Sequence, residues 1–138
     1  MKYAGLLIAV LVGQPLLADP ADLQRLRQEL HVSAPPEQYP DGAEYKLFAD
    51  LCTDLLCFKI VAVRFDSSGE EIIRLAVFSQ NSHYIGSYTG LKVMPTRVVG
   101  SVLHFPMSAG GNRIQFRPTG PPTEIQIKNE IHTFQRSR

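Results

Sequence analysis

The sequence contains no tryptophan and only two cysteines, and its four histidines stand alone. Each scarcity excludes something. Without tryptophan the strongest stacking surface for a sugar ring is missing, so glycan binding would have to rest on tyrosine. His31, His83, His104 and His132 form none of the short-spaced pairs that build zinc sites, and the two cysteines cannot complete a four-ligand set. No metal or other cofactor is expected. Serine patterns fail as well: in Gly86-Ser87-Tyr88-Thr89-Gly90 the serine is second rather than central, and no helical pattern follows to make a nucleophile elbow. Gly110-Gly111 precedes no helix, so it is a turn and not a phosphate cradle. The expectation is a protein that is not an enzyme.

Long apolar runs are lacking too. The run from Ala4 to Val12 is too short to span a membrane, which takes ~20 residues. With Lys2 before it and Ala18 at the far end, residues 1–18 have the form of a cleavable secretory signal, and the exported chain begins at Asp19. No cysteine stands at the cut, so no lipid anchor is expected. The product is read as periplasmic or secreted, with no transmembrane segment after signal removal. A charge surplus is equally missing. Setting Lys2 aside leaves 13 basic against 13 acidic side chains, and nucleic acid, which calls for a basic surface, is not an expected partner.

The distribution of charge says more than its sum. Asp19 to Gly90 carries a balance of −5 and Leu91 to Arg138 a balance of +5. Such a split either gives the folded domain one acidic and one basic side, able to orient a charged partner, or is consumed by pairing between strands.

Residues 19–42 read as an amphipathic helix and a Pro-rich connector. Asp19-Pro20-Ala21-Asp22 is a helix start, and Leu23, Leu26 and Leu30 recur at helical spacing, which predicts a short helix ending near Leu30 with its leucine stripe on the body of the domain. Pro35-Pro36 and Tyr39-Pro40-Asp41-Gly42 then extend and turn the chain. From residue 43 to 138 the period changes to two. Asp66-Ser67-Ser68-Gly69 is a hairpin turn between the strands Cys57–Phe65 and Glu71–Ser79. Further strands are expected over His83–Thr89, over Arg97–Phe105 with an interruption at Gly100, over Arg113–Arg117, and as two short pieces on either side of Lys128-Asn129-Glu130. Ala109-Gly110-Gly111-Asn112 supplies another turn. The fold class is therefore all-β and mainly antiparallel: a small sandwich or barrel of about eight short strands behind one N-terminal helix.

Cys52 and Cys57 are the most pointed local feature. In an oxidising compartment a lone pair this close should form a disulfide, and the spacing suits a hairpin with the cysteines opposite each other. The closed loop holds Thr53, Asp54, Leu55 and Leu56, with two leucines where polar residues are the rule. A stapled loop presenting apolar side chains resembles a preorganised binding device; the plainer reading folds both leucines back onto the core or the N-terminal helix. Tyr45, Tyr84 and Tyr88 could form an aromatic surface, Tyr84 and Tyr88 sharing one strand face with Gly86 between them. That glycine also suggests a bulge or a close backbone approach.

The function expected from these features is a non-catalytic binding protein of the bacterial envelope. It would bind or inhibit another protein, such as a cell-wall hydrolase or toxin, in the manner of an inhibitor or immunity protein. The competing expectation is a structural or assembly accessory subunit acting through an exposed strand edge. A small hydrolase or glycan-binding module stands behind both.

Overall fold

The computed structural model describes residues 20–35, 38–40, 42–106 and 112–137. The signal at residues 1–18, the Asp19 cap, Pro36, Asp41 and the Ala109-Gly110-Gly111 turn lie outside the described residues. The chain is mostly antiparallel β with one N-terminal helix, as the patterning predicts.

Helix α1 runs Pro20–Ser33. The leucine stripe stops at Leu30, but local bonds carry the helix one turn past the predicted end. The Ala34 amide donates to the Leu30 carbonyl at 3.0 Å, and the Ser33 hydroxyl donates to Glu29 Oε2 at 2.9 Å. Eleven strands follow among the described residues: β1 Glu44–Leu47, β2 Leu51–Cys52, β3 Cys57–Ser67, β4 Glu70–Ser79, β5 Tyr84–Leu91, β6 Arg97–Val99, β7 Val102–His104, β8 Arg113–Gln115, β9 Glu124–Ile127, β10 Glu130–Thr133 and β11 Gln135–Arg136.

Two-residue turns set the hairpins. Ser68 and Gly69 join β3 to β4 with φ of 54° and 81°, and Lys128 and Asn129 join β9 to β10 with φ of 51° and 68°. Positive φ at both central residues gives a turn whose twist matches that of the strands it connects. The stretch Arg97–Phe105, expected as one interrupted strand, is instead the hairpin β6–β7. Val99 pairs with Val102, and Gly100 at φ 61° opens the turn. Gly-Ser between apolar residues is itself a two-residue turn signal.

The main sheet has the order β1-β3-β4-β5-β11, with β2 also pairing β3. It ends in two edges instead of closing, so the sandwich and not the barrel is formed. Its central strands are buried on both faces. Phe58, Ile60, Ala62, Ile73, Leu75 and Val77 face one core, shared with Leu103 and Ile114 of the β6-β7-β8 sheet and Ile125 and Ile127 of the β10-β9 ribbon. Val61, Val63, Ala76 and Phe78 face the other way, under Leu26 and Leu30 of the helix. That double burial explains the unbroken apolar runs Ile60-Val61-Ala62-Val63 and Leu75-Ala76-Val77-Phe78, which do not alternate as a one-sided strand does. Among the described residues, no helix is long and apolar enough to cross a membrane.

Two buried tyrosines give the fold an alkaline limit. Burial, and then the neighbouring Tyr84 hydroxyl at 3.1 Å, push the Tyr39 hydroxyl far above its ordinary 10.0. Burial does the same to Tyr88, opposed in part by Arg136. A folded-state value raised above the unfolded one means stability is whole below the unfolded value and is lost as pH rises past it. Unfolding free energy is therefore expected to fall above about pH 10, by up to about 1.4 kcal/mol per pH unit for each tyrosine. Tyrosinate absorbance and far-ultraviolet circular dichroism, recorded in one pH titration, check this: the buried phenols should ionise only as the fold is lost. Ionisation of every tyrosine in the intact fold would contradict it.

Candidate functional site

Cys52 and Cys57 are directly paired across β2 and β3 and joined by a disulfide. The four residues between them are held from within. The Thr53 amide donates to the Leu56 carbonyl at 2.7 Å. Thr53 Oγ1 accepts the amides of Leu55 and Leu56 at 3.2 and 3.1 Å. A hydroxyl bonding amides two and three residues on is the local turn that Ser and Thr favour.

The loop is also tied to the body. The Cys52 amide donates to the Gly100 carbonyl at 3.0 Å, and Thr53 Oγ1 lies 3.2 Å from the Pro118 carbonyl. These bonds reach the β6–β7 turn and the turn that follows β8. The backbone of the loop is thus fixed on three sides while its apolar side chains stay in solvent. Leu55 is 68% exposed and Leu56 46%. Val99, beside the Gly100 anchor, is 53% exposed. The chain does not fold the two leucines inward, although burying each would contribute about 1.5–3 kcal/mol.

The three tyrosines form no common surface. Tyr84 packs with the helix-side core, where its ring meets Phe78 at 5.7 Å and Tyr39 at 6.3 Å. Tyr88 is 1% exposed in the opposite core, its hydroxyl donating to the Pro122 carbonyl at 2.6 Å. The expectation that both share a strand face is corrected by a β-bulge. Phe78 pairs with Tyr84 and Val77 with Gly86, so Ile85 is an extra residue and the side-chain phase of β5 inverts after it. Tyr45, on edge strand β1, is half-buried against the helix-side core with the Arg27 guanidinium 4.3 Å from its ring centre.

The histidines stay apart. His132 is 9% exposed, its Nδ1–H donating to the Thr89 carbonyl at 3.0 Å, which ties β10 to β5. His83 is exposed, and His104 is half-buried on β7. Among the described residues, no group of three or more His, Cys, Asp or Glu side chains could hold a metal ion. A cleft of about 460 Å³ lies between the end of α1 and strands β5 and β11. Ser87 Oγ is buried at its wall. The described lining holds no histidine or carboxylate that would take a proton from that hydroxyl.

The sequence marks the loop but not its setting. Val99, Gly100 and Pro118 lie more than forty positions away, and only the sheet packing brings them to it. The signal that could have found Val99 was Gly100-Ser101 read as a tight turn. Among the described residues, one ion pair crosses the division of charge: Lys92 reaches Glu70 at 2.8 Å. Arg64 reaches Glu44 and Glu71 at 3.4 and 3.5 Å, and Lys59 reaches Asp50 at 3.7 Å, but these pairs lie within the acidic stretch and leave the split in place. Arg97, Arg113 and Arg117 have no ion pair among the described residues. No protein-family model, curated protein or solved structure matches this chain.

Proposed function

We propose that this is an exported, non-catalytic binding protein that engages another protein through the stapled loop Thr53–Leu56. The observation that carries the reading is the exposure of Leu55 and Leu56 on a backbone held by a disulfide and by bonds to Gly100 and Pro118. Two exposed leucines on a mobile loop would favour association little, because ordering the loop would offset the burial. Here the ordering is already done by folding, so contact energy is available to the complex. Covering both leucines would contribute about 3–5 kcal/mol. In the concrete form expected for an envelope protein, the loop enters and blocks the cleft of a cell-wall hydrolase or a toxin. The disulfide fits an oxidising compartment such as the periplasm or the cell exterior.

The assembly-subunit reading has less support. It calls for a long open strand edge, whereas edge strand β1 has four residues and carries Glu44 and Lys46, and edge strand β11 has two. Short, charged edges resist strand addition.

The test compares wild type with a Leu55→Asp, Leu56→Asp double variant as bait against the envelope fraction of the producing organism, with quantitative mass spectrometry of the eluates. One protein in stoichiometric amount, depleted about 100-fold or more with the variant, is the expected result, since ~3 kcal/mol is a factor of more than a hundred. Equal recovery on both baits would remove the loop from the interaction.

A further inference from the structure

The loop stands beside a second exposed surface, the outer face of the β6-β7-β8 sheet. Leu103 and Ile114 point from this sheet into the core, and Val98 packs with them. The alternate residues therefore face out. Arg97 pairs with His104 and His104 with Arg113, so the three side chains form one row across the strands. One step along the same face, Val99, Val102 and Gln115 form the next row. The Gly100 turn beyond them holds the base of the stapled loop. Apolar contact at the loop thus passes into Val99 and then into cations within a few strand residues, each step of two residues covering about 7 Å.

Among the described residues, the two arginines of the row make no ion pair. The stretch from Lys92 to Thr123 contains no acidic residue. Lys92 is taken by Glu70, but Arg97 and Arg113 have no acidic partner among the described residues. Their strands sit two spacings apart, about 10 Å, which is near the screening length at physiological salt. A carboxylate placed over His104 would lie about 5 Å from each arginine strand and within reach of both guanidiniums.

We propose that this face belongs to the same docking surface as the loop and takes an acidic segment of a protein partner. The partner's carboxylates seat on the Arg97–His104–Arg113 row while its apolar side chains cover Leu55, Leu56 and Val99. This names the partner chemistry and rests on the reading of loop Thr53–Leu56 as the docking element. A protein fits better than an anionic membrane, because a rigidly held loop is an advantage only against a partner of fixed shape. Arginine, with its planar fork, also suits paired carboxylates better than a diffuse charged surface would require.

The test separates the row from the loop. The oxidised protein is titrated with poly-L-glutamate and, separately, with phosphatidylcholine vesicles containing phosphatidylglycerol, while backbone amide shifts are followed. Poly-L-glutamate is expected to move Arg97, His104 and Arg113. The binding should weaken about 10-fold or more in an Arg97→Gln, Arg113→Gln variant and with rising salt, and persist in a Leu55→Ala, Leu56→Ala variant. The melting temperature of the arginine variant should not fall, since both side chains are exposed. The partner captured through the loop should also be depleted about 10-fold or more by the arginine variant. Unmoved row resonances, or capture undiminished by that variant, would overturn the inference while leaving the loop reading standing. Vesicle binding that depends on the same arginines, without a response to poly-L-glutamate, would replace the protein partner with a lipid surface.

Discussion

Replacing Gly86 with alanine is expected to lower the unfolding free energy by about 3 kcal/mol or more, among the largest effects available to a single methyl group in this chain. Gly86 sits on β5 where β11 folds back on it, Arg136 pairing with Gly86 and Gln135 with Ser87. A Cβ built at residue 86 overlaps the Gln135 carbonyl oxygen and falls 2.8 and 2.9 Å from two atoms of the Phe134 ring. Neither neighbour can yield cheaply. The carbonyl is part of the strand that follows β10, and the Phe134 ring is packed in the core 5.0 Å from the Tyr88 ring. The clash therefore forces β11 off the sheet or Phe134 out of the core. Urea unfolding monitored by circular dichroism measures the loss. A Gly69→Ala variant is the control, because its added Cβ meets nothing within 4 Å and it carries only the strain of φ 81°. That strain should cost about 1–2 kcal/mol. A Gly86→Ala loss no greater than that of the control would mean that β11 does not approach β5 this closely.

Leu26→Ala is expected to cost about 3–4 kcal/mol, in the middle of the range for buried leucine truncation. Leu26 is 0% exposed and lies over Val61, Val63, Ala76 and Phe78 of the central sheet. Those residues stand on the two longest strands, paired over ten successive positions, so the floor of the cavity cannot rise to fill it. The helix above is also fixed, since Glu29 Oε2 accepts the Tyr84 amide at 3.0 Å. Leu23→Ala, at a half-buried position on the same helix, should cost about 1 kcal/mol and sets the scale. Both values come from equilibrium urea denaturation. If the two substitutions cost the same, the helix does not seal that face of the sheet.

Both predictions concern long-range contacts, and these divide what could be read from the residues from what could not. The helix stripe, the Ser68-Gly69 turn and the Cys52–Cys57 pair depend on residues within about a turn of one another. Side-chain spacing, positive φ and loop length are local constraints, so the residue string expressed them. The bulge at Ile85 was half-expressed. Gly86 marked it, but only the pairing of Phe78 with Tyr84 and Val77 with Gly86 shows which way the phase turns. That one residue sends Tyr84 to the helix side and Tyr88 to the opposite core, and so dissolves the tyrosine surface.

By itself, then, the sequence determined the hairpins at Ser68-Gly69 and Lys128-Asn129, the leucine-striped helix, the stapled loop and the separation of acidic from basic stretches. Tertiary structure alone decided that the central sheet is covered on both faces and that Leu55 and Leu56 stay in solvent on a loop whose base is bonded to Gly100. It also decided that Arg97, His104 and Arg113 fall into one row. The physical reason is that strand register and sheet stacking are fixed by the summed burial of residues distant along the chain. A one-residue shift in either would send each of these side chains to another face.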